Sequence, residues 1–557
     1  MSSALESNNL IHWEELQSYF LKIGSGNFNL SHLTLDHQAK LHPEKTAYIC
    51  IDSDLKNKTY SYQYLKTHSI QSAHLLSSLT IKKGDRVFIY MPRIIESVIA
   101  LTGIVKTGAV AGTLFSAFEE KALLDRLLDS QAKIVITTAS LLGRIKKIKH
   151  LLTRLEKVIV VGELSETEDG IVSFSELEKF PEEFEIPLSK MEDDAFMLYT
   201  SGSTGKPKGI VHSHKVLLQQ FSSLKQVFDP DEKDIYWCSA DLGWITGVSY
   251  AVFGPLSHGL TSILFEGRFN PQAWFDILKK NKVSLFYTAP TAIRMLMASG
   301  VNKDTLDVKN LRIVASVGEP LNPEAIRWGI KVLKKTILDT WFQTELGSIC
   351  ISNTYNKEVK FGSMGLPLDG VVAEIVDENG RVTGSGTIGN LVLGTNMPSL
   401  LKSVWHNQEK YDSYFSHGWY YTGDLAYKDE DGYIFFTGRG DDIINTQGER
   451  VGPFEIESAL IAHPLVIEAG VIGKPDKLRG EIIKAFVVLS EEVENEDVLV
   501  NELIDFVKEQ MGGPFYPREI EFTTSLPKTR SGKIMRRVLK ARELHLDPGD
   551  LSSIEKE

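Results

Sequence analysis

The segment Tyr199-Thr-Ser-Gly-Ser-Thr-Gly-Lys-Pro-Lys-Gly209 gathers three glycines, four small hydroxyls and two lysines into one short stretch. Bare backbone N–H groups, O–H donors and positive charge together make a cradle for phosphate. It is not a Walker A loop, because Pro207 stands where that motif places its second glycine. A flexible surface linker has a similar composition. The flanks favour a scaffolded loop: DDAFMLY before it reads as a buried strand, and GIVHSHKVLLQQF after it leads into a helix.

Other patterns carry less chemistry. Gly384-Ser-Gly-Thr-Ile-Gly389 satisfies G-x-G-x-x-G, but the strand-like NLVLG follows where a dinucleotide site needs a helix. That pattern reads as a turn. Ser203-x-x-Lys206 with Lys106-Thr-Gly108 imitates a serine acyl-enzyme signature, yet the order is wrong, no S-D-N is present, and the serine lies in a glycine-rich loop. His212 and His214 lack a third metal ligand and read as packed strand-end residues. The basic PKTRSGKIMRRVLKAR follows the strand REIEFTTSLP, which suggests a lysine presented on a turn.

The elements that must hold these residues alternate. From Arg86, RVFIYMP reads as a strand and IESVIALTGIVKTG as a helix. Strands AVAGTLF, AKIVITT and KVIVVG then interleave with helices EEKALLDRLLDSQ and LLGRIKKIKHLL. This is the pattern of an α/β fold, a parallel sheet covered on both faces. SLFYTAP and LRIVASVG continue it after Asp194. Near residue 435 the character changes, and beyond GRGDD the elements PFEIESALIAH, EIIKAFVVL, VLVNELIDFVKEQ and REIEFTT form a small α+β unit. The expected division is a large domain over 1–439 and a small mobile one over 440–557, hinged at Asp441. A chain of 557 residues is long enough for at least two domains.

With 42% hydrophobic and 24% charged residues the chain is an ordinary globular protein. Its net charge of −12 argues against nucleic-acid binding. Neither a signal peptide nor a membrane span is expected, since Lys106 and several glycines interrupt the longest apolar region. Three scattered cysteines fit neither a disulfide framework nor a zinc site, and a cytoplasmic location is expected.

Five motifs in order, YTSGSTGKPKG, TWFQTE (340–345), YTGD (421–424), GRGDDIINTQGERVGPFEIE and PKTRSGKIMRR, resemble the adenylate-forming superfamily of acyl-CoA synthetases, luciferases and peptide-synthetase adenylation domains. WCSADLGWITG and SVGEPLNPEAIRWG are most similar to its acetate-activating branch. The resemblance implies an AMP-forming acid–thiol ligase in two steps: a short carboxylate such as acetate or propionate joins the α-phosphate of ATP, then the thiol of coenzyme A displaces AMP.

It also implies roles. Thr200, Ser201, Gly202, Ser203, Thr204, Gly205, Lys206 and Lys208 would grip the β- and γ-phosphates with Mg²⁺, for which Thr204 and Glu345 supply oxygens. Gly318, Glu319 and Pro320 would border the adenine, Trp341 and Gln343 would help bind the nucleotide, and Thr344 would touch the α-phosphate. Asp424 has two acceptor oxygens for the ribose hydroxyls. Lys533, Arg439 and Arg450 would gather positive charge at the α-phosphate. After a hinge motion at Asp441, coenzyme A would meet Gly448, Lys508 and Arg144. Acetylation of Lys533 would remove its charge and silence the first step.

Trp244, Ile245, Thr246, Val317 and Phe342 would line the acyl pocket. Acetate-activating relatives typically carry a second tryptophan at position 342, and medium-chain relatives a glycine. A synthetase of medium-chain or aromatic acids, a non-catalytic nucleotide-binding relative and a serine acyl hydrolase are the alternatives. Intact Lys533 and Asp424 speak against the silent relative.

Overall fold

The computed structural model describes residues 13–164, 168–201, 207–300, 308–440, 442–446, 449–476, 478–491, 493–512, 515–529 and 533–548, together with 551 and 554. The side chains of Ser201, Glu449 and Arg450 lie outside that description.

Two large sheets carry most of the chain. In the first, strands Arg86–Tyr90, Val110–Leu114, Ile134–Thr138, Lys157–Val161 and Ile171–Ser173 run parallel. Strand Asp194–Ser201 joins parallel to Val110–Leu114. The second sheet has nine strands, with a parallel run through Ile235–Cys238, Leu285–Thr288, Ile313–Val317 and Ile337–Trp341. Strands Val110–Leu114, Ile134–Thr138 and Ile313–Val317 are buried at every position. Helix-covered parallel strands have no solvent face, so they read as unbroken apolar runs rather than alternations.

Two features depart from the alternating pattern. The segment after the glycine-rich loop is first a strand, Pro207–Ser213, paired antiparallel with Asp194–Ser201, before helix Val216–Phe228 begins. The strands that flank the glycine-rich segment therefore pair as a hairpin. A separate antiparallel sheet of Ala373–Val376, Gly389–Gly394, Trp419–Lys428, Phe415–Ser416 and Ile434–Arg439 was not read from the sequence. Apart from the five-residue helix Gln408–Asp412, its strands follow one another without intervening helices and so carry no α/β rhythm.

The C-terminal domain is built mainly of antiparallel strands: Glu449–Val451, Ile444–Thr446, Gly480–Leu489 and Val466–Asp476 in spatial order, with Glu519–Phe522 added parallel. Helices Pro453–Ile461 and Glu496–Met511 close its core. It meets the larger part through helix Pro453–Ile461. Phe454 sits edge-on to Phe436 at 6.0 Å, and Asn322 Nδ2 donates to Ser458 Oγ at 2.8 Å. At Gly452 a Cβ would stand 1.6 Å from the Thr437 carbonyl oxygen, so only glycine allows this approach. Among the described residues no helix is long and apolar enough to cross a membrane.

The discounted patterns are accounted for. Residues 384–388 form a turn into strand Gly389–Gly394. Lys106 is fully buried and pairs with Asp36 at 2.5 Å and Ser69 at 2.8 Å. His214 accepts the Leu30 N–H through Nδ1 at 3.1 Å.

Candidate active site

Strands Ile313–Val317 and Ile337–Trp341 are parallel neighbours, with Val317 opposite Thr340, so their C-terminal ends open on one edge. In open α/β sheets that edge is where ligands bind. Beyond Val317 the chain turns at Gly318 with φ +93°, a conformation that favours glycine. Glu319 points into the protein: its carboxylate accepts from Thr291 Oγ1 and Arg294 Nη2, each at 2.7 Å. Both members of the Glu319–Arg294 pair are about nine-tenths buried. The carboxylate thus anchors the turn and leaves the backbone of 318–320 to face outward.

Breaking such a pair strands a buried charge. Arg294→Met is expected to lower stability by about 3 kcal/mol and to raise the KM for ATP more than it lowers kcat. Thermal unfolding with ATP-dependent kinetics checks this; an unchanged KM would show that the anchor does not shape the site.

Asp339 was missed in the sequence. Its Oδ2 accepts the Leu321 N–H at 3.4 Å, while Oδ1 is buried with no hydrogen-bond partner among the described residues. Burial pushes its carboxyl well above the usual range. The available signal was an aspartate inside the apolar strand ILDTW.

Asp424 is the hub of the site. It lies on strand Trp419–Lys428 directly across from Arg439 on Ile434–Arg439. Trp341 Nε1 and Gln343 Nε2 both donate to its Oδ2 at 3.1 Å. Gln343 also donates to the Thr422 carbonyl at 2.9 Å and accepts from Tyr420 Oη at 3.2 Å. Asp424 Oδ1 is buried without an aligned hydrogen bond, although Arg439 Nε stands 3.2 Å away. Burial raises the carboxyl's pKa, and the cations of Arg439 and Lys533 oppose that. An acceptor held in place with one oxygen unsatisfied suits a hydroxyl-bearing ligand.

The strands Asp194–Ser201 and Pro207–Ser213 reach this part of the protein, where Lys208 feels the charges of Glu345 and Arg439. Thr200 pairs with Lys208 and Ser201 with Pro207 across the strands. Gly202, Ser203, Thr204, Gly205 and Lys206 lie outside the described residues. Burial and the charges of Lys410 and Arg439 push the Lys208 ammonium below the usual lysine range, with Glu345 opposing. His212 Nε2–H donates to the Thr344 carbonyl at 2.7 Å, tying the hairpin to Thr344 and Glu345. Burial holds the His212 pKa down to about 4, so the ring is neutral at neutral pH.

Glu345 is fixed on both sides. Tyr414 Oη donates to its Oε1 at 2.9 Å, and Leu401 N–H donates to its carbonyl at 2.7 Å. Mg²⁺ takes hard oxygen donors, usually one or two carboxylates completed by phosphates and water. A single oriented carboxylate at Glu345 fits that pattern, and among the described residues no group of three His, Cys, Asp or Glu forms a protein-only cage.

The backbone of Lys533 is tied to Thr529. Thr529 N–H donates to its carbonyl at 2.8 Å, and its own N–H donates to Thr529 Oγ1 at 3.1 Å. The side chain keeps solvent access, yet it is crowded by protein. That desolvation and the Arg439 guanidinium press the ammonium below the usual lysine range, while Asp424 and Asp442 oppose the shift. Three residues on, Arg536 grips Glu457 through Nε at 2.8 Å and Nη2 at 2.6 Å, with Asp442 3.5 Å from Nη1. Arg536 was another residue missed, because its partner lies in a different helix.

Asp441 and Gly448 lie outside the described residues. Arg450 belongs to strand Glu449–Val451, and only its backbone is described. Lys508 pairs with Asp505 at 2.7 Å and lies over the Tyr516 ring. Arg144 bonds Tyr90 Oη at 2.8 Å and pairs with Glu119 at 3.2 Å. Neither joins the Asp424 cluster.

Ile245, Val317 and Phe342 belong to one contiguous buried cluster. Phe342 is 9% exposed and meets the Tyr250 ring edge-on at 5.6 Å. Thr246 is also buried, and the half-buried Trp244 ring lies 5.9 Å from Phe115.

Comparison with known proteins agrees with this geometry. Residues 35–403 match the AMP-binding enzyme family, and residues 455–533 match the AMP-binding enzyme C-terminal domain. The chain is 47% identical over 548 residues to an acetyl-coenzyme A synthetase of Bacillus subtilis (strain 168), covering 98% of this chain and 95% of that one. Among solved structures it resembles the anthranilate CoA ligase AuaEII in complex with anthranoyl-AMP. The TM-score is 0.87 at 30% identity, covering 93% of this chain and 98% of that one. It also resembles an ATP-bound RpMatB–BxBclM chimera, with a TM-score of 0.82 at 27% identity over 94% and 99% of the two chains.

Proposed function

This chain belongs to the AMP-binding enzyme family, and from that premise we propose that it is an AMP-forming acetate–CoA ligase. The observation that carries the reading is the Asp424 hub. Trp341, Gln343, Arg439 and the cation of Lys533 converge there on one buried carboxylate.

ATP lies with its ribose hydroxyls on Asp424 and its adenine beside Gly318, Glu319 and Pro320. Its β- and γ-phosphates lie in the loop from Thr200 to Lys208. Glu345 and Thr204 hold Mg²⁺, which when bound offsets charge on the phosphates. A carboxylate oxygen of acetate attacks the α-phosphorus, and the bond from that phosphorus to the oxygen bridging to the β-phosphate breaks. Acetyl-adenylate and pyrophosphate result. Charge builds on the α-phosphate oxygens during attack, and Lys533, Arg439, Arg450 and the Thr344 hydroxyl stabilise it.

The small domain then turns at Asp441 and withdraws Lys533. Coenzyme A enters past Gly448, Lys508 and Arg144; its sulfur attacks the acyl carbonyl carbon, the thiol proton leaves, and AMP departs with the former acyl oxygen. The reaction belongs in a reducing cytoplasm, where the free Cys50, Cys238 and Cys350 persist. Acetylation of Lys533 would switch off the first step alone.

Acetate is favoured over aromatic acids because the acetyl-coenzyme A synthetase relative shares 47% of its residues and the anthranilate ligase 30%. Formation of AMP and pyrophosphate across acids of increasing length, with and without coenzyme A, tests the reading. No product with acetate or propionate would refute it.

The hinge role has its own test. Asp441→Pro fixes φ near −65° and removes a donor. One half-reaction is expected to slow by at least about tenfold more than the other. Equal rates for both would exclude rotation at this residue.

A further inference from the structure

We infer that Tyr250 is a specificity-determining residue which, through the hydroxyl cluster behind it, sets the depth of the acyl pocket by fixing Phe342; this rests on the acyl-pocket reading above. Tyr250 lies on a π-helix, Gly247–Phe253, immediately after the pocket residues Trp244, Ile245 and Thr246. Such wide turns concentrate at functional sites. The Tyr250 ring is wholly buried and meets Phe342 edge-on at 5.6 Å and 71°. It is a ring contact that backs the floor residue inside the buried cluster.

The far end of that ring is pinned. Tyr250 Oη accepts the Ile349 N–H at 2.7 Å and exchanges hydrogen bonds with Ser223 Oγ at 2.7 Å and Ser348 Oγ at 2.8 Å. The two serine hydroxyls also lie 3.0 Å apart, which closes a triangle. Next to it Ser249 Oγ donates to the Gly347 carbonyl at 2.8 Å and receives Gln220 Nε2 at 2.8 Å. These bonds join helix Val216–Phe228, the π-helix and the segment 347–349 that follows Thr344 and Glu345. A satisfied buried network of this kind rigidifies the side chains it includes.

The consequence concerns chain length. A Phe342 ring alone could tilt to admit a longer acid, because one edge contact resists rotation weakly. With Tyr250 held at both ends, the backing surface cannot retreat, and an added methylene meets a wall. Tyr250→Phe keeps the ring and its contact with Phe342 but removes the anchoring oxygen. It leaves the Ile349 N–H and two serine hydroxyls to find other partners.

The test measures kcat/KM for acetate, propionate and butyrate in the full-length protein and in Tyr250→Phe, with thermal unfolding recorded for each. The propionate-to-acetate ratio is expected to rise on the order of tenfold. A loss equal for every acid, with a lowered melting temperature, would make Tyr250 a structural residue only and overturn the inference. Ser223→Ala removes one bond from the same hydroxyl and is expected to shift the ratio in the same direction by less. A folded Ser223→Ala protein with an unmoved ratio counts against the proposal, which keeps the test decisive if Tyr250→Phe fails to fold. If the unaltered protein releases AMP with neither acetate nor propionate, the functional reading falls and the inference with it. If it releases AMP with both but the variants keep its ratio, the inference alone falls.

Discussion

Lys533→Ala is expected to slow acyl-adenylate formation roughly a thousandfold, the scale of removing one preorganised charge from a developing anionic centre. The same protein should convert supplied acetyl-adenylate and coenzyme A to thioester at a rate close to that of the unaltered chain. The asymmetry follows from geometry. Lys533 shares the electrostatic field of Asp424 and Arg439, so it stands where the nucleotide would be held, and under the proposed hinge motion the second step would begin after that cation had moved away. Desolvation and the Arg439 charge lower its pKa, and only the protonated amine stabilises the phosphate. Adenylation should therefore fall on the alkaline side at a pH below that expected of an exposed lysine. Rapid-quench measurement of the two half-reactions decides the matter: equal losses in both would place Lys533 outside adenylation chemistry.

Phe342→Gly is expected to move the preference from acetate towards longer acids, changing the butyrate-to-acetate ratio of kcat/KM by about 10–200-fold. The ring is nine-tenths buried, so its removal opens apolar volume that added methylenes can fill, each worth ~0.8 kcal/mol when buried. Phe342→Trp should act oppositely and sharpen selection for acetate. Between these limits phenylalanine is expected to accept both acetate and propionate with a shallow preference. The glycine variant also loses buried area, with a stability cost of about 3–5 kcal/mol, so its melting temperature belongs beside the kinetics. Uniform slowing across all acids, with relative kcat/KM unchanged, would show that Phe342 only fills core.

Much of this protein was legible locally. The strand before the glycine-rich segment reads from DDAFMLY alone, and the structure has it as Asp194–Ser201. Buried parallel strands announce themselves as apolar runs such as IVASV, since both faces of the strand are covered. The bonds between Thr529 and Lys533 are local too, made by residues four apart.

What the tertiary structure decided are pairings between distant residues. The antiparallel pairing of strand Pro207–Ser213 with Asp194–Ser201, and the bond from His212 to the Thr344 carbonyl, join residues that local sequence does not connect. Asp424 faces Arg439 through strand register and gains Trp341 and Gln343 from another sheet. Glu319 turns inward only because Arg294 is there to receive it. Tyr250, Ser223 and Ser348 come from three separate segments to close one triangle of hydroxyls. Local period and turn chemistry act over a few residues, whereas the direction a buried polar group takes is set by whichever partner the folded chain brings to it.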